Sequence, residues 1–179
     1  MQKEKLQFKI QNLINPFLII AIAVVLRLVP HPPNFAPIAA MALFGGAYLN
    51  RRYALIVPII AMIFSDFFLG FHNTIVFVYG SFLLTGVLGL WVRNRRTAQN
   101  IIGVSIASSV AFFIITNFGV WLVGSMYPKT ITGLLDCYIA AIPFFRNTLI
   151  GDLSYVGLFF GGYSLAMRFF TVFRMTKSI

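Results

Sequence analysis

Acidic residues are nearly missing from this chain. Glu4, Asp66, Asp136 and Asp152 are the only four, against fourteen Lys and Arg and a net charge of +10. There is one cysteine, Cys137, so no internal disulfide can form and cysteine usage says nothing of redox compartment. The two histidines, His31 and His72, do not stand in an HExxH arrangement, and no glycine loop runs into Lys followed by Ser or Thr. The first absence removes that zinc-hydrolase pattern, and the second excludes ATP hydrolysis on a P-loop. With Asp66 the two histidines give only a weak metal signal, and no metal or other cofactor is expected.

What the chain has instead is apolar surface. Hydrophobic residues make up 59%, twenty of them Phe, and mean hydropathy is +0.88, outside the balance of a soluble domain. A hydrocarbon core of about 30 Å takes about 20 apolar residues as a helix, and runs of near that length recur along the whole chain. Breaks fall at "PHPPN", "NRR", "FHN", "RNRRTAQN" and the long stretch 125–147. They delimit six helices at about 13–29, 35–49, 53–70, 74–92, 101–124 and 148–172. Barrel strands would be about 10 residues and alternate in polarity. The fold class is therefore an all-α membrane protein, a single six-helix transmembrane domain over 1–179. Lys3, Lys5 and Lys9 ahead of an apolar run resemble a secretory signal. Arg27 interrupts that run and "VPHPPN" follows where a small-x-small site belongs, so a retained first helix is expected.

Orientation follows from the basic residues. Lys3, Lys5, Lys9, Arg51, Arg52, Arg93, Arg95, Arg96, Arg168, Arg174 and Lys177 fall on one side of a six-helix zigzag. Arg27, Lys129 and Arg146 are left for the other. The positive-inside bias places both termini in the cytoplasm of a multi-pass plasma-membrane protein. In that frame the positive charge is a matter of topology and no nucleic-acid partner is expected.

The polar residues then gather at one depth. Arg27, Asp66, Asn117 and Asp152 all fall in the outer half of the helices, at a rise of about 1.5 Å per residue. His31, Asn34, His72, Asn73, Asp136, Arg146 and Asn147 lie in the outer connections. Ionisable groups inside a membrane bundle mark water-filled cavities and ligand paths. The expected substrate site is His31, Asn34, Asp66, Asn73, Asn117, Arg146, Asn147 and Asp152, with 125–147 lying over it as a lid or a short re-entrant helix. Expected ion pairs are Arg27 with Asp152 and Asp66 with Arg146. Structural pairing alone accounts equally well for any single pair.

"FHNTI" and "FRNTL" each place Asn-Thr before an apolar run, where such residues cap helix N-termini. Helices are expected to start there. Tyr48, Trp91, Trp121 and Tyr127 read as an interfacial belt. The clusters "FGGA" and "GLFFGGYSLA" read as close helix packing, and Cys137 as a packed residue.

"RLVPHPPNFAPIAAMALFGGAYL", "SDFFLGFHNTIVFVYGSF", "TNFGVWL", "YPKT" and "AIPFFRNTLIGDLSY" resemble, over about 24–166, an uncharacterised bacterial family of membrane transport proteins. That family is in turn remotely similar to the substrate-binding S-components of energy-coupling-factor (ECF) vitamin transporters. The resemblance implies six helices, cytoplasmic termini and a vitamin-sized pocket near the outer face. It also implies an ATPase energising module with a transmembrane coupling subunit as partner. One feature departs from it. The Ala-x-x-x-Ala docking face of a first helix is missing, and Ala36 and Ala40 carry that spacing in the second helix, so a solitary transporter stays open.

The expected function is uptake of a small water-soluble metabolite, of vitamin or cofactor-precursor class, by a non-enzymatic membrane protein. The alternatives are a non-transporting membrane scaffold and, third, an intramembrane enzyme using Asp66, His72 and Asp152. In a Cys137→Ala background, a cysteine at position 98 should resist an impermeant thiol reagent added to intact cells while one at position 130 reacts. The reverse pattern would invert the topology.

Overall fold

The computed structural model describes residues 22, 24–30, 32–165 and 167–168. A helical stretch at 24–28 is followed by α1 (Ile38–Tyr48), α2 (Arg51–Leu69), α3 (Ile75–Val92), α4 (Ala98–Val123) and α5 (Ile131–Val156). The last runs directly into a π-helical turn, Gly157–Gly161, and on into helix at 162–165. No strand occurs among the described residues.

The short helix α1 forms the centre. From Ile38 to Leu43 every side chain is buried, as are Gly45, Gly46 and Ala47, so it has no polar face to turn outward. It packs on α2, α3 and α5, with a lighter contact to α4. Small residues allow this. A Cβ on Gly46 would sit 2.5 Å from the Gly86 carbonyl oxygen, and one on Gly89 would sit 2.5 Å from that of Leu43. The backbones of α1 and α3 therefore touch, as small residues permit in membrane bundles. "FGGA" is a packing element, as expected. "GLFFGGYSLA" is not: a Cβ on Gly157, Gly161 or Gly162 would meet nothing within 4 Å, and the stretch holds the π turn instead.

Polarity is distributed the opposite way from a water-soluble protein. Phe64, Phe67, Phe68, Phe71 and Val76 are exposed, while Ser65, Ser81, Thr85, Ser105, Ser108, Ser109, Thr116 and Thr148 are buried. Several of these hydroxyls donate to the carbonyl four residues back: Ser81 to Phe77 (2.7 Å), Thr85 to Ser81 (3.0 Å), Thr116 to Phe112 (2.7 Å) and Thr148 to Phe144 (3.1 Å). This satisfies them without a partner helix. Three helices, α2, α3 and α4, are long and apolar enough to cross a membrane.

Several expected boundaries change. The helix expected at 13–29 lies mostly outside the described residues. The one expected at 35–49 is the 11-residue α1, about 16 Å long and too short to span a bilayer by itself. The lid at 125–147 does not form: Ile131 onward is the first half of α5, and only 124–130 connects it to α4. Thr130 caps α5 by accepting from the Gly133 backbone N–H at 3.1 Å. Pro143 is carried inside the helix, as Pro is tolerated where neighbouring helices support the backbone. "FRNTL" accordingly caps nothing, and Thr74 of "FHNTI" precedes α3 without a side-chain cap bond.

Gly89→Ala forces α1 and α3 apart and should cost about 1 to 3 kcal/mol by overpacking. In Gly103→Ala the new Cβ meets nothing within 4 Å, and it should leave melting in detergent unchanged or slightly raised.

Candidate functional site

Two carboxylates are buried inside the bundle, and the structure treats them differently. Asp66 lies one turn before the end of α2 and is 1% exposed. Its Oδ1 sits 2.6 Å from Arg27 Nη1. The contact is an ion pair between the guanidinium and the buried carboxylate. The Tyr79 hydroxyl of α3 donates to Oδ2 at 2.7 Å. Arg27 Nη1 also donates to Ser65 Oγ and, at 3.4 Å, to the Met62 carbonyl. Around one buried charge, the 24–28 stretch is thus tied to α2 and α3.

This corrects both expected ion pairs: Arg27 takes Asp66, not Asp152, and Arg146 is exposed on α5 rather than facing Asp66. Tyr79 was missed, although a signal existed. Asp66 is six residues before the centre of the α2 to α3 turn and Tyr79 seven after it, so an antiparallel hairpin brings them near each other.

Asp152 is 3% exposed. Among the described residues no cation pairs with it; the Ser109 hydroxyl of α4 meets its Oδ2 at 2.7 Å. Ser109 is close to the middle of the 26-residue α4, so Asp152 belongs at mid-span and not in the outer half. The displacement arises because α5 begins at Ile131 rather than 148, which puts Asp152 about 30 Å along the helix.

The remaining expected residues do not converge on one point. His31 lies outside the described residues. Asn34 is exposed and holds a left-handed backbone (φ 62°), and Asn73 is exposed. The Asn117 amide donates to the Phe113 carbonyl of its own helix at 2.7 Å, and its backbone carbonyl accepts from the buried Cys137 thiol at 3.5 Å. His72 Nδ1 meets Thr74 Oγ1 at 3.1 Å. Asp136 is exposed. Asn147 Nδ2 donates to the Pro33 carbonyl at 3.2 Å. Next to it a Cβ on Gly151 would lie 3.2 Å from Phe35, whose ring meets Tyr155 at 5.6 Å. The first connection is thus seated on α5 between Asn147 and Tyr155, joining two parts of the expected site, Asn34 and Asn147.

A family model described as "Family of unknown function (DUF6580)" matches residues 7–173. The chain belongs to that family. No curated protein and no solved structure matches it.

In this DUF6580 chain the opposite end of the bundle is basic and structurally engaged. Arg93 donates to the Leu49 carbonyl, Arg96 lies over the Tyr48 ring at 4.5 Å and Arg95 over Trp91 at 5.4 Å. Burial, then the nearby Arg96 and Arg51, pushes the Arg93 pKa down from its ordinary value. The belt aromatics Tyr48 and Trp91 therefore meet guanidinium groups.

Asp66→Ala strands the Arg27 charge and should cost about 3 to 5 kcal/mol if its surroundings stay dry. Removing both charges, in Arg27→Leu with Asp66→Leu, should cost less than the single change, as read by melting in detergent.

Proposed function

We propose that this chain is a multi-pass plasma-membrane protein, with both termini cytoplasmic, that binds a small water-soluble metabolite for uptake. The substrate class is that of vitamins and cofactor precursors, and the resemblance to ECF S-components supports that choice. The observation that carries the reading is the Arg27, Ser65, Asp66 and Tyr79 cluster, buried where apolar helices meet. Ionisable groups are costly inside a membrane protein and characteristically mark a substrate or ion path.

That cluster lies toward the end of the bundle that holds the 30–37 and 70–74 connections. These connections offer Asn34 and Asn73 to solvent, and Asn147 of α5 holds the first of them by the Pro33 carbonyl. Substrate binds on this side, against the exposed amides and Arg146. Asn117 is a weaker candidate, since its amide is committed to its own helix. Energy comes from an ATPase module with its coupling subunit or, in a solitary transporter, from a gradient.

A thermal-shift screen of the purified protein against water-soluble vitamins tests this. A ligand at 100 times its Kd stabilises by about 2.7 kcal/mol, and Asn147→Ala should remove most of that shift while melting near the wild type without ligand. A scaffold would show no shift with any compound.

A further inference from the structure

We propose that Asp152 is a proton-binding site at mid-span, loaded and emptied through the serine face of α4. The site consists of Asp152 Oδ2, Ser109 Oγ and the Ser105 carbonyl, with Ser105 Oγ and Ser108 Oγ beside it.

Hydrogen-bond accounting carries the inference. Ser109 Oγ has one proton and two acceptors within reach, Asp152 Oδ2 at 2.7 Å and the Ser105 carbonyl at 3.0 Å. With Asp152 ionised, the hydroxyl can turn to only one of them. With Asp152 protonated, its O–H donates to Ser109 Oγ and Ser109 donates to the Ser105 carbonyl, so both short contacts become good hydrogen bonds at once. Both distances, 2.7 and 3.0 Å, are accommodated by a loaded carboxylic acid.

Among the described residues nothing nearby supplies a compensating charge. Helix α4 has no ionisable side chain from Ala98 to Val123, and the π turn at 157–161 has none. In α1 the only one is Tyr48, at the far end beneath Arg96. On α5 itself Tyr155 meets the Phe35 ring in a tilted contact and Arg146 is exposed. Arg27 is engaged with Asp66 on α2. His31 lies outside the described residues. A lone buried anion in such surroundings is strongly disfavoured, and taking up a proton removes the charge.

A second observation supplies the path. Ser105 Oγ and Ser108 Oγ are buried and have no hydrogen-bond partner among the described residues. Ser105 lies one turn from each of the others, three residues before Ser108 and four before Ser109. Unpartnered buried hydroxyls are uncommon, and these two lie on the Ala98 side of Ser109. The exchange balances simply: hydronium gives its proton to the Asp152 carboxylate, leaving water, and the reverse step returns it.

The test needs no knowledge of the transported molecule, so it can fail while the uptake reading stands, and the reverse. The chain has only three aspartates, so labelling aspartate carboxyls with carbon-13 reports on all of them by infrared or magnetic resonance spectroscopy. At neutral pH one carboxyl should be protonated. That signal should be missing in Asp152→Asn, shifted in Ser109→Ala, and converted to carboxylate on alkaline titration of the wild type. Asp152→Asn keeps a donor toward Ser109 and should melt close to the wild type; if it fails to fold, the titration of the labelled wild type together with the Ser109→Ala shift decides. Three ionised aspartates at neutral pH would overturn the proposal. So would an acid that stays protonated up to the alkaline limit of folding, since a site that never releases its proton is structural only.

Discussion

The contact of the α1 backbone with that of α3 is the constraint on which the bundle rests. Burial of apolar surface cannot assemble helices that already lie among lipid tails, so packing and polar contacts must. At Gly46 and Gly89 no Cβ keeps the two backbones apart. That close approach seats an 11-residue helix in the centre of the bundle and gives α2, α3 and α5 a common surface. Phe44 at its far end is ringed by Tyr48, Phe159, Phe160 and Tyr163, so the same helix also anchors the region of the π turn.

Around this centre the two buried carboxylates represent two solutions to one cost. Asp66 is neutralised by a cation and receives a phenolic hydroxyl, and in doing so it locks three segments together. Asp152 has a hydroxyl and no cation among the described residues. The two lie apart along the helices, Asp66 near one end of α2 and Asp152 on α5 beside the middle of α4.

The helical class, the apolar exterior and the locations of α2, α3 and α4 were legible in the sequence, because long apolar runs between charged breaks allow no other backbone arrangement in lipid. The role of "FGGA" was legible for a related reason: adjacent glycines in an apolar helix have few uses other than close packing. Locally, Thr97 accepting from the Asn100 N–H and Thr130 accepting from Gly133 were readable caps, but the Asn-Thr pair of "FRNTL", read as a cap, drew the boundary of the last helix to the wrong place.

Only the tertiary structure decided which charges meet. Arg27 could reach either aspartate by depth counting, and its choice of Asp66 depends on how the 24–28 stretch lies against the α2 and α3 hairpin, a matter of helix rotation that rise per residue does not contain. The depth of Asp152 likewise depended on where α5 begins, and its partner Ser109 on which face of α4 turns inward. Sequence by itself determined that this protein is a bundle of apolar helices with a few polar groups inside, since composition and periodicity act along the chain. The pairing of those groups was settled by packing, since it acts between chain segments whose mutual rotation no local pattern specifies.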